Sequence, residues 1–356
     1  MREIYQKIAE LFKENRLCVL ATIITQSGSS PRGPGSKMII MEDGSIVGTV
    51  GGGMLEGRVI EEGKKVFSTL TPSLIRHRMY GADIDANEMI CGGDADIFIE
   101  PIFPDNPVHT ELFKEVSGII KRGGAGLLAT VIDPKRWAPG QIPKMFIKSP
   151  EERTGSLLGI DEIETDLKAN MKARIDKFHP EVVTYKDPEG NDLKVFVEPV
   201  ISDPVVYIFG GGHVSKQIGP IANLVGFSVV VIDDRAEFSN PENFPYAKEV
   251  ITSSFGNVMD RLPVNESSYL IIVTRGHAHD KIVLEQALRT PAKYIGMIGS
   301  SRKIKIIYKN LLKEGFAQEQ LDSVHSPIGL EICAETPEEI AVAIVGELIK
   351  VRAGGE

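Results

Sequence analysis

Apolar positions in the first third of the chain switch between two periods. Ile4, Ile8, Leu11 and Phe12 recur at helical spacing and predict an amphipathic first helix. Leu20-Ala21-Thr22-Ile23-Ile24 and Lys37-Met38-Ile39-Ile40 read as strands, Leu55, Val59, Gly63 and Val66 as a second helical stripe, and Ile97-Phe98-Ile99-Glu100-Pro101 as a closing strand. The series then repeats. Leu112, Val116, Ile119 and Ile120 restate the first helix, and Leu128-Ala129-Thr130-Val131-Ile132 and Lys144-Met145-Phe146-Ile147 restate the strands. Gly155-Ser156-Leu157-Leu158-Gly159 echoes Gly44-Ser45-Ile46-Val47-Gly48; Ile163, Leu167, Met171 and Ile175 form one stripe; Val195-Phe196-Val197-Glu198-Pro199 closes the unit. Five matches in constant order favour a duplication over chance similarity between β-rich runs.

Each copy reads as helix, strand, turn, strand, helix, loop, strand, over about 1–103 and 107–200. The two predict one α+β domain over 1–202, ending at the turn-like Ile201-Ser202-Asp203-Pro204. From Val205 the pattern alternates strand and helix, which predicts a Rossmann-like parallel sheet over 203–356 and an α/β chain as a whole. Val205-Val206-Tyr207-Ile208-Phe209 is a continuous apolar run, as a strand covered on both faces should be. A Gly-x-Gly-x-x-Ser turn follows, Gly210-Gly211-Gly212-His213-Val214-Ser215. The next helix carries Val214, Ile218, Ile221 and Val225, with Pro220 expected to kink it. Phe227 to Ile232 is the next strand, and Asp233 beyond it stands at roughly the 20-residue interval of a carboxylate that grips ribose.

Further strands, Tyr269–Val273 and Tyr294–Ile298, end in Thr274-Arg275-Gly276-His277-Ala278-His279-Asp280 and Gly299-Ser300-Ser301-Arg302-Lys303. Ligands of open α/β sheets bind at the carboxyl ends of the strands, so His213, Asp233, Arg275, His277 and Asp280 are expected around one cleft. Ser300 reads as a helix cap with the cations Arg302 and Lys303 beside an anion site. Arg235 and Arg275 have a plainer reading, pairing with Asp233 or Asp234. A metal held by His213, His277 and His279 is the weaker reading, because no matching cysteine or carboxylate set accompanies them. Thr336-Pro337-Glu338-Glu339 forms a capping box ahead of the last helix, and Cys333 just upstream is expected in the core.

Composition narrows the class. The 356 residues are 42% hydrophobic and 25% charged, which excludes wholesale disorder. The net charge of −9 argues against a general nucleic-acid binder. No apolar run approaches the roughly 18 residues of a membrane span, and the first residues read as a helix rather than a signal peptide. Cys18, Cys91 and Cys333 are too few and scattered for a disulfide framework or a CxxC zinc site. The expectation is a soluble cytoplasmic protein with reduced thiols.

Comparison of the copies separates fold from function, since whatever the shared fold needs should occur twice. Only the first has Gly28-Ser29-Ser30-Pro31-Arg32-Gly33-Pro34-Gly35, Gly51-Gly52-Gly53 and Cys91-Gly92-Gly93. The second has Pro134-Lys135-Arg136-Trp137 and Ile160-Asp161-Glu162 in the first two places, and no Cys-Gly-Gly. Glycine lets successive N–H groups converge on an anion, a helix start adds its dipole, and Arg32 offers a cationic fork. The loops therefore point to an anion pocket with Cys91 as a soft ligand at its edge; tight turns around a small buried thiol are the alternative.

The set Gly-Ser-Ser-Pro-Arg (28–32), Gly-Gly-Gly-Met-Leu-Glu (51–56) and Cys-Gly-Gly (91–93) resembles the xanthine dehydrogenase accessory family of XdhC/CoxI type. Gly-Gly-Gly-His-Val (210–214), Asp-Asp-Arg (233–235), Thr-Arg-Gly-His (274–277), Gly-Ser-Ser-Arg-Lys (299–303) and Glu-Thr-Pro-Glu-Glu-Ile-Ala (335–341) resemble the same family, which usually has glycine at the place of Cys333. The resemblance implies a non-catalytic maturation factor that binds the molybdenum cofactor (molybdopterin), protects its sulfurated form and delivers it to a molybdenum hydroxylase such as xanthine dehydrogenase. A cysteine desulfurase is a further partner that it implies, and a homodimer is expected because symmetric self-association is the common default for soluble oligomers. On this reading Gly28, Ser29, Ser30, Arg32, Gly51–Gly53, Glu56 and Cys91–Gly93 hold the cofactor, with Cys91 at the molybdenum. Gly210–Gly212, His213, Asp233, Arg235, Arg275, His277, Asp280, Ser300 and Arg302 line a second cleft for a phosphate, NAD(P) or another nucleotide. The competing reading is an NAD(P)-dependent oxidoreductase with His277 as proton donor; an interaction scaffold without ligands explains neither set of loops.

Overall fold

Strand pairing in the first two hundred residues follows one register twice. The computed structural model describes residues 2–28, 32–78, 93–138 and 140–355, in two compact units, Met1–Ile201 and Ser202–Glu356. The first copy runs α1 (Arg2–Lys13), β1 (Cys18–Gly28), β2 (Lys37–Ile40), β3 (Ile46–Gly48), α2 (Gly53–Thr69), β4 (Ser73–His77) and β5 (Gly93–Ile102). The second runs α3 (Pro107–Arg122), β6 (Ala125–Val131), a 3-10 turn (Pro134–Arg136), β7 (Lys144–Ile147), β8 (Arg153–Ser156), α4 (Asp161–Ala169), α5 (Met171–Asp176), β9 (Glu181–Lys186) and β10 (Asp192–Ile201).

Each copy forms an antiparallel sheet, ordered β3-β2-β1-β5-β4 and β8-β7-β6-β10-β9. Leu20 opposes Ile39 and Glu100 in one, and Leu128 opposes Phe146 and Glu198 in the other. Duplication is thus a property of the backbone as well as of the side-chain pattern. Two strands per copy, β3/β8 and β4/β9, were not legible as strands, because an edge strand of three to six residues carries too little alternation to stand out. The stripe Ile163–Ile175 is also two helices rather than one, broken at Asn170, whose side chain bonds back to Asp166.

One face of the first sheet packs on α2 through Val19, Ala21, Ile23, Val59, Val66 and Ile97. The other faces the second copy across a seam built in layers. At one end Ile8, Leu11, Leu20 and Ile39 meet Leu112, Val116, Leu128 and Phe146. Then comes a polar layer in which Lys37 Nζ lies 2.8 Å from Glu198 Oε2 and Lys144 Nζ lies 2.6 Å from Glu100 Oε1. Ile24, Phe98, Ile132 and Phe196 follow. Lysine of each copy pairs with glutamate of the other, the reciprocity of an isologous interface held within one chain. All four side chains are at most 4% exposed, so each charge depends on its partner to offset desolvation.

The second unit runs β11 (Val205–Phe209), α6 (His213–Leu224), β12 (Ser228–Asp233), β13 (Glu249–Thr252), a 3-10 turn (Met259–Arg261), β14 (Ser268–Ile272), α7 (His277–Ala287), β15 (Tyr294–Met297), α8 (Ser301–Lys313), α9 (Gln318–Asp322) and α10 (Pro337–Arg352). Its sheet is wholly parallel, ordered β13-β12-β11-β14-β15, with apolar cores on both faces. This is a Rossmann-like α/β fold, as the alternation of strand and helix predicts. The helix α6 runs through the exposed Pro220 as one element. Thr336 and Glu339 form the expected capping box on α10. Cys333 departs from expectation: it is exposed, not core, with a left-handed φ of 58°. That backbone conformation suits glycine better than a side chain. Among the described residues no helix is long and apolar enough to cross a membrane.

Candidate functional site

The loops peculiar to the first copy leave its sheet at one end. Gly28 and Gly93 are cross-strand partners at the last pair of β1 and β5. Gly48 of β3 pairs with Met38, which faces Ala21, so the segment from Gly48 to Gly53 departs toward the same edge. Antiparallel pairing therefore brings together glycines far apart in sequence. The strand β1 supports this by its length: it extends eleven residues, past an irregularity at Ile23/Thr25, where its counterpart β6 ends after seven.

The start of α2 is chemically open. Gly51, Gly52 and Gly53 have φ of 124°, 79° and 61°, conformations that favour glycine. Gly52 is the N-cap, has no side-chain cap bond, and a methyl group in its place would meet nothing within 4 Å. The first N–H groups of this helix are left without a side-chain acceptor from the cap, at the positive end of a seventeen-residue dipole. Glu56 is engaged within the loop itself. One of its oxygens accepts from the Thr49 hydroxyl and from the Val50 N–H, so it fixes the loop. Arg32 is exposed. Ser29, Ser30, Cys91 and Gly92 lie outside the described residues.

The second copy carries the opposite chemistry at the same places. Asp161, Glu162 and Glu164 occupy the first turn of α4. Arg136 is tied to buried Asp187 and to Asp133. An acidic helix start satisfies its own dipole and repels anions.

Sequence reasoning passed over two side chains near the first-copy loops. Buried His77, at the end of β4, has its Nδ1 3.0 Å from Arg58 Nη1 of α2. Burial, then the Arg58 charge, holds its imidazole below the usual histidine range and keeps it neutral. A lone histidine followed by arginine has no pattern in sequence; only the β4–α2 packing pairs it. Of the three thiols, Cys18 is buried and pushed up to about 12 by burial and then by Glu100, which removes it as a nucleophile.

In the second unit the predicted cleft residues divide. Gly210 (φ 112°) lets the chain pass the Val273 carbonyl, 2.5 Å from where a Cβ would stand, and Gly211 sits equally close to Phe238 O. Gly212 and Gly276 are the N-caps of α6 and α7, both without side-chain caps, at the ends of neighbouring β11 and β14. Exposed His213, Arg275 and His277 stand at these ends. Ser300 caps α8 by accepting the Lys303 N–H, and Arg302 is exposed.

Asp233 and Asp280 are not available as expected. Asp233 is 2% exposed; it accepts the Gly211 N–H at 2.8 Å and both the N–H and the Nε of Arg235 at 3.0 Å. Burial pushes its carboxyl up, but these bonds, Arg235 foremost, outweigh burial and hold it below the usual range. Arg235 also lies 3.6 Å over the Phe238 ring. The pair locks the glycine turn to β12 and engages both oxygens of Asp233. Asp280 is fully buried, accepts from Thr274, and pairs with Lys303, which thereby leaves the anion site. Arg275 reaches Asp234 at 3.1 Å, the plainer of its two readings. Among the described residues no group of three or more His, Cys, Asp or Glu is placed to hold a metal ion.

Fold and loops together define a two-unit α/β protein: a duplicated α+β unit with one glycine-rich edge, and a Rossmann-like unit with uncapped helix starts at α6 and α7. Comparison with known proteins agrees. Residues 206–348 match the XdhC Rossmann domain, and residues 11–78 match the XdhC and CoxI family. The chain belongs to the XdhC/CoxI family. It is 25% identical over 98% of its length to the uncharacterized protein YqeB of Escherichia coli K12, spanning only 46% of that protein. It is 24% identical to a probable xanthine dehydrogenase subunit of Bacillus subtilis 168, covering 99% of this chain and 98% of that one. A Bacillus halodurans crystal structure described as a xanthine dehydrogenase shares the fold, with a TM-score of 0.74 at 24% identity over 98% of this chain and 95% of that one.

Proposed function

We propose that this chain is a cytoplasmic maturation factor for a molybdenum hydroxylase such as xanthine dehydrogenase, and that its first-copy loops carry the molybdenum cofactor. The observation that carries this reading is the contrast between the two helix starts. The same fold position is an uncapped triple glycine in one copy and an acidic cluster in the other. Family membership and the xanthine dehydrogenase names of the relatives support the accessory role.

The donor set fits such a cofactor. Molybdopterin is anionic through its phosphate and its oxo-metal dithiolene, and when bound it supplies the redox and sulfur chemistry. The N–H groups at the start of α2 would donate to an oxyanion without reorganisation, Arg32 would add a charge-assisted bond, and Glu56 fixes the loop. Cys91 is proposed to guard the metal's sulfide. A cysteine desulfurase as sulfur source and a homodimer belong to the same proposal. The oxidoreductase alternative loses support, because the carboxylate that would hold NAD(P) ribose is engaged by Gly211 and Arg235.

The test is co-purification from molybdate-fed cells, with molybdenum by mass spectrometry and pterin by fluorescence after oxidation. Near-stoichiometric molybdenum and pterin is the expected result. Protein free of both, while the hydroxylase in the same cells is fully active, sinks the proposal.

A further inference from the structure

The polar layer of the seam surrounds a void of about 10 Å³ that the role just proposed does not use. Six residues of the first copy line it, together with their six counterparts in the second. The polar members are Thr22 and Thr130, Lys37 and Lys144, and Glu100 and Glu198; the others are apolar. All twelve are at most 6% exposed, so the void is buried. It sits where the reciprocal halves of the seam meet, and anything held there touches both copies.

Hydrogen bonding around this void does not close. Glu198 has Lys37 Nζ 2.9 Å from its Oε1 and 2.8 Å from its Oε2, but only the first contact is aligned as a hydrogen bond. Glu100 meets Lys144 through Oε1 alone, at 2.6 Å, and among the described residues its Oε2 has no hydrogen-bond partner. Lys37 directs a second N–H to the Thr22 hydroxyl at 3.4 Å, whereas Lys144 makes only the Glu100 bond. One carboxylate oxygen in each copy thus lacks a donor, while Lys144 has N–H groups to spare. A charged oxygen left bare at such depth is costly. The two lysines and two glutamates already balance in charge, so a further ion would stand uncompensated.

We infer that this void is a binding site for one water molecule, which donates to Glu100 Oε2 and Glu198 Oε2 and accepts from Lys144 Nζ. Space of about 10–15 Å³ holds a single water, and about three bonds are the usual complement of a buried one. Only a neutral ligand keeps the layer balanced, and only one with two donors and an acceptor serves both carboxylates and the ammonium. Lys37, Glu198, the water, Glu100 and Lys144 then form one continuous chain that ties the copies together. The site is independent of what the glycine loops carry.

The experiment is a crystal structure of the full-length protein, grown in rubidium chloride, at a resolution that places ordered waters. A spherical peak about 2.5–3.2 Å from Glu100 Oε2, Glu198 Oε2 and Lys144 Nζ, without anomalous scattering, is the expected result. Tyr5 is the rival donor, because its buried hydroxyl also lacks a partner and both glutamates act on it. An empty void, a rubidium signal in it, or the Tyr5 hydroxyl turned onto Glu100 Oε2 in place of a water overturns the inference. Lys144→Met combined with Glu100→Leu removes two of the three partners, so the peak should vanish from that variant; a peak that persists there overturns the assignment of its partners. In solution, oxygen-17 relaxation dispersion should count about one fewer long-lived water in the double variant than in the wild type, with thermal unfolding as the check on folding. An equal count in two folded proteins overturns the site.

Discussion

The two copies of the first unit share strand order, register and a reciprocal pair of buried ions, yet their helix starts are chemical opposites. At the start of α2 stand Gly51–Gly53 with no side-chain cap; at the start of α4 stand Asp161, Glu162 and Glu164. What both copies keep is what packing demands: the apolar faces of the sheets and the Lys37–Glu198 and Lys144–Glu100 pairs. What only one keeps is free to serve a ligand. Duplication inside one chain supplies the control that a single domain lacks.

The sharpest break of this comparison targets the shared part. Lys37→Met and Lys144→Met should destabilise the first unit by similar amounts, about 3–5 kcal/mol each, because each strands a buried glutamate. Urea unfolding would read this, and the double replacement Lys144→Met with Glu100→Leu should recover most of the loss. A strongly unequal effect of the two lysines would mean that the copies are not equivalent in packing.

Next in size is a pH effect beside Lys144. His109 is fully buried and accepts the Phe103 N–H at 3.0 Å on Nδ1. Burial first and the Lys144 charge second push its imidazole down to about 3. Its folded value lies below the unfolded one, so the unfolded chain takes up the proton first. Stability present above about pH 6.5 is then lost toward pH 3, at about 1.4 kcal/mol per unit. Unfolding midpoints at pH 7 and 5 should converge in His109→Gln, while the wild type falls.

Gly53→Asp gives the first copy the residue that begins the helix of the second. Aspartate tolerates a left-handed φ better than most residues, so folding should survive, while molybdenum and pterin retention falls roughly tenfold, about 1.4 kcal/mol. Retention equal to wild type would show that the helix start holds nothing. The smallest effect is the reverse exchange, Asp161→Gly, which should move stability by only about 0.5 kcal/mol and leave retention unchanged.

Much of this was legible in the sequence. Long stripes and continuous apolar runs located α1, α3, β1, β6, β11 and β14, because burial on a regular element enforces a period. Short edge strands escaped, since β3 and β8 bury too little to impose one. The glycine loops were found by the absence of a counterpart, whereas Glu56, Asp233 and Asp280 were assigned to ligands and instead hold loops. A carboxylate beside a glycine turn looks the same in sequence whether it faces a ribose or its own backbone.

By itself the sequence determined the duplication, the alternation of the Rossmann-like unit and the glycines that only one copy carries, since these are local patterns set by period and by backbone freedom. Tertiary structure alone decided the rest. It pairs Lys37 with a glutamate of the other copy, places Arg58 against His77, engages Asp233 with Arg235, and closes Thr22 and Thr130 around one void. Such matches join residues distant along the chain, and their energies depend on burial and separation, which no linear pattern records.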